Sequence, residues 1–279
     1  MADNSTDAPA ASGRPSGDLT QFDTGVAHPA RVYDYWLGGT NNFAADQQAA
    51  EAVIAARPTI VRDIRTNREF LHRAVAYLAA EAGIRQFLDI GMGIPTSPNV
   101  HEIAQGIAPD ARVVYVDNDP LVLAYAGTLL TSSPEGATAY VDADLRYPST
   151  ILRDATHTLD FRQPIAVILV GVLHLVKDDE DPYGIVAGLM DAMPSGSYLV
   201  ITHPASDIDA GAAAEGARRY NSSVATSQTR RSFVEVSPFF HGLSMVEPGV
   251  VQNHRWRPAP GADVTQYEVS AWAGVGRKP

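Results

Sequence analysis

Phe87-Leu88-Asp89-Ile90-Gly91-Met92-Gly93-Ile94-Pro95 reads as a buried strand that runs into a glycine turn. Phe87, Leu88 and Ile90 form the apolar run. Gly91 and Gly93 lack the Cβ atoms that hold a backbone away from a ligand. A second apolar run, Val113-Val114-Tyr115-Val116, ends in Asp117. That acid stands 24 residues beyond Gly93, near the spacing at which a nucleotide-binding α/β fold sets a ribose-binding carboxylate beside its glycine loop.

Outward from this pair, strands and helices alternate. Strand 86–90 leads to a helix near 98–107, strand 112–117 to one near 120–131, strand 137–142 to one near 149–157, and strand 164–170 to one near 182–193; strand 197–202 follows. The run Ile165-Ala166-Val167-Ile168-Leu169-Val170 shows no alternation, so both of its faces are expected to be covered, as in a parallel sheet. Right-handed crossovers between such strands make a doubly wound sheet with ligands at the carboxyl ends of the strands. Residues 211–228 have helical character and 232–240 suit a short helix or turn. Residues 243–251 and 266–275 read as two strands closing one sheet edge. The expected fold is α/β: a doubly wound, mostly parallel, Rossmann-like seven-stranded sheet with an N-terminal helical extension and a C-terminal antiparallel hairpin.

Ahead of the sheet, residues 1–24 are rich in Ala, Ser, Gly, Pro and Asp and are expected to be a disordered tail. Residues 25–82 form the helical extension and 83–279 the sheet domain. Tyr33, Tyr35 and Trp36 lie on a short helix broken by Gly38-Gly39, with Asn41 and Asn42 in the loop beyond. This segment is expected to be a lid, with an aromatic ring and an asparagine facing the ligand and the glycines as hinge. Pro58 separates a helix over 44–57 from one over 59–82. On the latter, Ile60, Ile64, Leu71, Val75 and Leu78 share a face, and Arg62, Arg65, Arg68 and Arg73 are expected to be solvated.

Composition narrows the function. A formal charge of −11 argues against a broad basic face for nucleic acid. With no cysteine, disulfides, thiolate metal sites and cysteine nucleophiles are excluded. No apolar run reaches the roughly 18 residues of a membrane span, and the N-terminus lacks the pattern of a signal peptide. A soluble cytoplasmic protein is expected. The acids Asp178, Asp179, Glu180 and Asp181 read as a helix-start cluster, and no metal is expected.

The glycine loop is a poor dinucleotide fingerprint. The third glycine of G-x-G-x-x-G is missing, and Pro95 and Pro98 remove amide donors that a pyrophosphate would use. Asp89 would repel phosphate but suits an ammonium or sulfonium group. A nicotinamide oxidoreductase is therefore disfavoured. At the strand ends, Asp117 is placed to accept ribose hydroxyls, Asp144 an adenine amino group with the Leu145 amide facing the ring, and Gly171 and Val172 to floor the pocket. His174 is the candidate general base.

Asp89-Ile90-Gly91-Met92-Gly93, Asp117, Asp142-Ala143-Asp144 and Val172-Leu173-His174-Leu175 resemble the successive cofactor motifs of class I S-adenosylmethionine-dependent methyltransferases. More closely, Val32-Tyr33-Asp34-Tyr35-Trp36-Leu37-Gly38-Gly39 with Asn42-Phe43 is similar to the hallmark of an actinobacterial family once catalogued as a domain of unknown function and now called S-adenosyl methyltransferase. The likeness spans about residues 28–275. It implies S-adenosylmethionine as cofactor, with Asp89, Gly91 and Gly93 at its methionine end, Asp117 at the ribose, and Asp144 and Leu145 at the adenine; Asn118, beside Asp117, is a further cofactor-binding candidate. Tyr33, Asn41 and Asn42 would meet the methionine end from the lid. The expected activity is methyl transfer to a small-molecule acceptor; the alternative is a non-catalytic module that binds the cofactor or its demethylated product.

Overall fold

The computed structural model describes residues 23–129 and 131–279. The expected tail lies, as far as residue 22, outside the described residues. Among those described, eight strands form one sheet in the order β3-β2-β1-β4-β5-β8-β6, with β7 also on β8. Strands β1 (Gln86–Ile90), β2 (Arg112–Asp117), β3 (Ala137–Asp142), β4 (Ala166–Val170) and β5 (Tyr198–Pro204) are parallel. Strand β8 (Ala271–Arg277) is antiparallel to β5, with Pro204 opposite Ala271 and Tyr198 opposite Arg277.

The C-terminal edge departs from a simple hairpin. The strand expected over 243–251 is split into β6 (Ser244–Met245) and β7 (Val251–Gln252), which makes the strand count eight rather than seven. Pro248 has no amide to give the ladder, and Gly249 turns with φ 84°, so the chain leaves β8 between the two pieces. The partner strand begins at Ala271, not at 266, because Val269 gives its amide to the Gln252 side chain at 2.9 Å instead of to a strand.

Both sheet faces are covered, as the uninterrupted apolar strands require. Leu88, Ile90, Val114, Val116, Val167 and Leu169 pack against α6 (Pro148–Ala155) and α7 (Pro182–Asp191) through Ile151, Ile185 and Leu189. On the other face Phe87, Val113, Tyr115 and Ile168 meet α3 (Ile60–Ala80), α4 (Val100–Ile107) and Trp256. Helix α3 supplies Phe70, Leu71, Ala74, Val75 and Leu78 to that layer, so the boundary expected at residue 83 falls inside one continuous core. A smaller cluster joins α1 (Pro29–Trp36), α2 (Ala44–Ala56) and α8 (Ala210–Asn221) around Val32, Trp36, Val53 and Tyr220. Helix α5 (Pro120–Leu129) follows β2, and the short α9 (Phe233–Val236) follows α8.

Local chemistry sets the ends of these helices. Asn99 stands at the N-cap of α4, where Glu102 bonds back to the Asn99 amide, while the Asn99 Oδ1 accepts the Thr96 amide ahead of the helix at 3.0 Å. Of the acidic run, Asp181 caps α7 by accepting the Gly184 amide at 2.9 Å. Among the described residues no helix is long and apolar enough to cross a membrane, and no group of three or more His, Cys, Asp or Glu is placed to hold a metal ion.

Trp256 is completely buried and meets Phe70 and Tyr77 edge-on, with ring centroids 5.3 and 5.9 Å apart. Trp256→Ala is expected to cost about 3–5 kcal/mol of stability, read as a lower urea midpoint. A cost under about 1 kcal/mol would show that this layer repacks freely.

Candidate functional site

At the carboxyl ends of the parallel strands lies a cavity of about 230 Å³. Its walls come from the glycine loop after β1, the ends of β2 and β4, helices α1 and α3, and the segment near residue 228. Gly91 takes φ 77° and Gly93 φ 62°, both in the region that favours glycine. A Cβ on Gly91 would stand 2.5 Å from the Val172 Cβ. The two loops that floor the cavity therefore touch only because this residue is glycine.

Asp117 ties that floor to β2. Its Oδ2 accepts the Gly93 amide and its Oδ1 the Asp119 amide, each at 3.0 Å. Burial pushes its carboxyl upward, and the two amides oppose the shift. Asp119 in turn accepts the Leu121 amide at 2.9 Å at the start of α5. Asp89 is 6% exposed, lines the cavity and accepts none of the hydrogen bonds found among the described residues. Burial raises it to about 7; nearby Arg68 opposes the rise and Asp117 adds to it. Such a carboxylate needs a cation.

The remaining expected residues divide. Tyr33, Asn118, Leu145, Gly171 and Val172 line the cavity. Tyr33 accepts a hydrogen bond from Asn67 at 3.0 Å, and Gly171 gives its amide to the Thr202 hydroxyl at 3.0 Å. Asp144 also lines it, but its oxygens already accept from Asn118 Nδ2 at 3.0 Å and from the Arg146 amide and guanidinium at 2.9–3.1 Å. A carboxylate offers about four acceptor positions, so Asp144 has little left for an adenine amino group.

Asn41 and Asn42 do not line the cavity. The Asn41 amide and the Asn42 Nδ2 both donate to Asp34 Oδ2, at 2.9 and 2.8 Å, and Gln47 donates to Asn42 Oδ1 at 2.9 Å. The Asn42 side chain is thus spent inside the loop, whereas Asn41 Oδ1 is buried without a partner. Gly39 serves the same knot, since a Cβ there would stand 2.1 Å from Asp34 Oδ1. Its small size makes room for a carboxylate, a requirement that a hinge does not impose.

His174 lines the cavity, yet burial and the charges of Arg230 and Arg231 hold it down at about 3. It stays neutral at physiological pH and is a poor proton acceptor. The base role expected of it is therefore not assigned here. Arg231, itself 1% exposed, braces this corner: it donates to the Leu173 and Val176 carbonyls, to His203 Nε2 at 2.8 Å and to Asp178.

Helix α3 carries the residues that the sequence reading missed. Asp63, Asn67 and Arg68 face the cavity, joined by Arg57 at the end of α2. Of the arginines expected to be solvated, Arg65 is exposed. Arg68, by contrast, donates to the Thr96 and Pro98 carbonyls, Arg73 to those of Trp256 and Asn253, and Arg62 to that of Glu268. Asp63 and Asn67 lie three and seven residues after Ile60, on the apolar face. Polar residues on that face were the available signal.

The family profile described as S-adenosyl methyltransferase matches residues 16–279. The chain belongs to this family. A DUF574-family protein from Streptomyces avermitilis is 45% identical with a TM-score of 0.89, over 92% of this chain and 99% of that one. A candidate methyltransferase from Thermobifida fusca is 39% identical with a TM-score of 0.84, over 92% and 96%. No curated protein matches the chain significantly.

The protein is thus a class I S-adenosylmethionine-dependent methyltransferase with S-adenosylmethionine as cofactor. The cavity fits that group where it can be tested. A buried carboxylate without a donor, Asp89, answers a ligand carrying sulfonium and ammonium charges.

Asp89 separates binding from stability. Its folded carboxyl, at about 7, lies above the ordinary value, so unfolding releases its proton between about pH 4 and 7. Its burial therefore costs stability increasingly as pH rises through that window. Asp89→Asn is expected to raise the melting temperature of the cofactor-free protein at pH 8, where the cost is at most on the order of 4 kcal/mol. The same change is expected to weaken S-adenosylmethionine binding. In the wild type, affinity is expected to rise through pH 7 and level above about pH 8, one unit past the carboxyl's value, because a cation prefers the ionised form. Titration calorimetry across this range checks both; an affinity independent of pH would remove Asp89 from the cation site.

Proposed function

We propose that this methyltransferase passes the methyl group of S-adenosylmethionine to a small-molecule acceptor bound in the same cavity. The carrying observation is continuity. The cavity does not stop at the glycine loop but continues past Gly171 to His174, Gln228 and Arg230. A module that only held the cofactor would have no need of that extension.

S-adenosylmethionine supplies an electrophilic methyl group on sulfonium. The chain's own residues do the rest. Asp89 compensates the cationic end, and Asp117, already aligned by two amides, accepts the ribose hydroxyls with its remaining lone pairs. Leu145 and Val172 give the adenine apolar walls. Helix α1, through Tyr33, covers the opening and keeps water from the reacting methyl group. Such a displacement needs alignment more than proton transfer, which suits a cavity whose histidine is a weak base.

The test uses methyl-labelled S-adenosylmethionine and a low-molecular-weight metabolite fraction. Label is expected in a new small molecule. Cofactor binding with no transfer to that fraction would refute a small-molecule acceptor. Asp117→Ala is expected to weaken cofactor binding by ~1.5–3 kcal/mol while the protein remains folded. Unchanged affinity would take the ribose from Asp117.

A further inference from the structure

Beyond the glycine loop the cavity wall carries two arginines. Arg57 and Arg230 both line it, close enough for the charge of Arg57 to depress Arg230. Arg57 is 3% exposed and pairs through one nitrogen with Asp63, while its Nε is buried with no partner. Arg230 spends Nε and one terminal nitrogen on Ala205 and Ser270, at 2.7–3.3 Å, and its Nη1 takes part in none of these bonds. His174 Nδ1 is buried in the same wall, also without a partner. The charged groups acting on His174 are arginines alone, Arg230 and Arg231.

Carboxylates nearby answer part of this charge: Asp63 pairs with Arg57, exposed Asp209 acts on both Arg57 and Arg230, and Asp178 pairs with Arg231. Three nitrogens without protein partners thus sit in one wall of the cavity: Arg57 Nε and His174 Nδ1, both buried, and Arg230 Nη1 on a half-buried side chain. An unmade bond to a buried charged donor is costly, and a planar carboxylate can take two donors at once. A neutral imidazole adds one N–H donor without adding charge.

We propose that this end of the cavity is the acceptor subsite and that the acceptor is a small carboxylic acid, its carboxylate anchored by Arg230 and Arg57 beside His174. This rests on the methyltransferase reading above and adds the substrate class. His174 acts here as a positioning residue. The subsite selects against neutral analogues, because an amide or ester in the same place would leave the guanidinium groups unanswered.

The experiment measures binding to protein saturated with S-adenosylhomocysteine, using matched probes: benzoate against benzamide, and 3-phenylpropionate against its amide. At least one carboxylate is expected to bind about ten- to a hundredfold more tightly than its amide. Arg230→Gln is expected to remove that preference while affinity for S-adenosylhomocysteine is retained. If Arg230→Gln does not fold, His174→Phe is used instead, and it is expected to lower carboxylate affinity alone. In the wild type, carboxylate addition is expected to shift the His174 imidazole resonances. Equal binding of acid and amide, no binding by either acid, or a preference that survives the substitution would overturn the proposal. Failure of S-adenosylhomocysteine itself to bind would instead sink the cofactor reading.

Discussion

The mouth of this sheet is held by one carboxylate. Asp117 ends β2, yet it reaches the amide of Gly93 in the loop after β1 and the amide of Asp119 at the entrance to α5. Three segments that would otherwise diverge are locked at about the spacing of neighbouring strands. The glycine loop can then press against Val172 in the loop after β4, which only a residue without Cβ permits. Everything that lines the cavity is placed relative to this floor. The acid that organises the loop also keeps lone pairs open toward the cavity.

Charged groups of both signs line the cavity. Asp89 and Asp117 stand at the glycine loop, and Arg57 and Arg230 at the opposite end. Burial makes both ends expensive: it lifts the Asp89 carboxyl to about 7 and brings Arg230 down to about 10. Groups held so far from their ordinary behaviour detract from the stability of the empty protein. Such strain is concentrated where ligands bind. Arg68 lies between, tied to the carbonyls of Thr96 and Pro98, and its charge moderates Asp89.

The N-terminal helices form the roof by a different logic. Asp34 accepts from Asn41 and Asn42 and so folds the chain after α1 back on itself. Asp46 accepts the His28 and Phe43 amides and pairs with Arg31, fastening α1 to α2. His28 Nδ1 lies 2.9 Å from Asp119 Oδ2, which connects the roof to the loop beside Asp117. The roof is thus held by polar bonds that the floor shares.

By itself the sequence determined the alternating parallel core, the glycine loop flanked by Asp89 and Asp117, and the family. All are local: apolar strand periods, and side chains adjacent to strand ends, survive being read in one dimension. It misread Asn42, whose amide looks available until Asp34 is folded against it. It also read Arg68 as solvated, because a helical wheel shows which face is apolar but not what stands opposite. Only the tertiary structure decided that Arg57 from α2, Asp63 from α3 and Arg230 from a distant loop share one wall with His174. It likewise set the surroundings of His174, whose proton affinity is lowered by burial and by arginines more than 50 residues away in the chain. Packing brings those charges together, and no local pattern in the chain encodes that meeting.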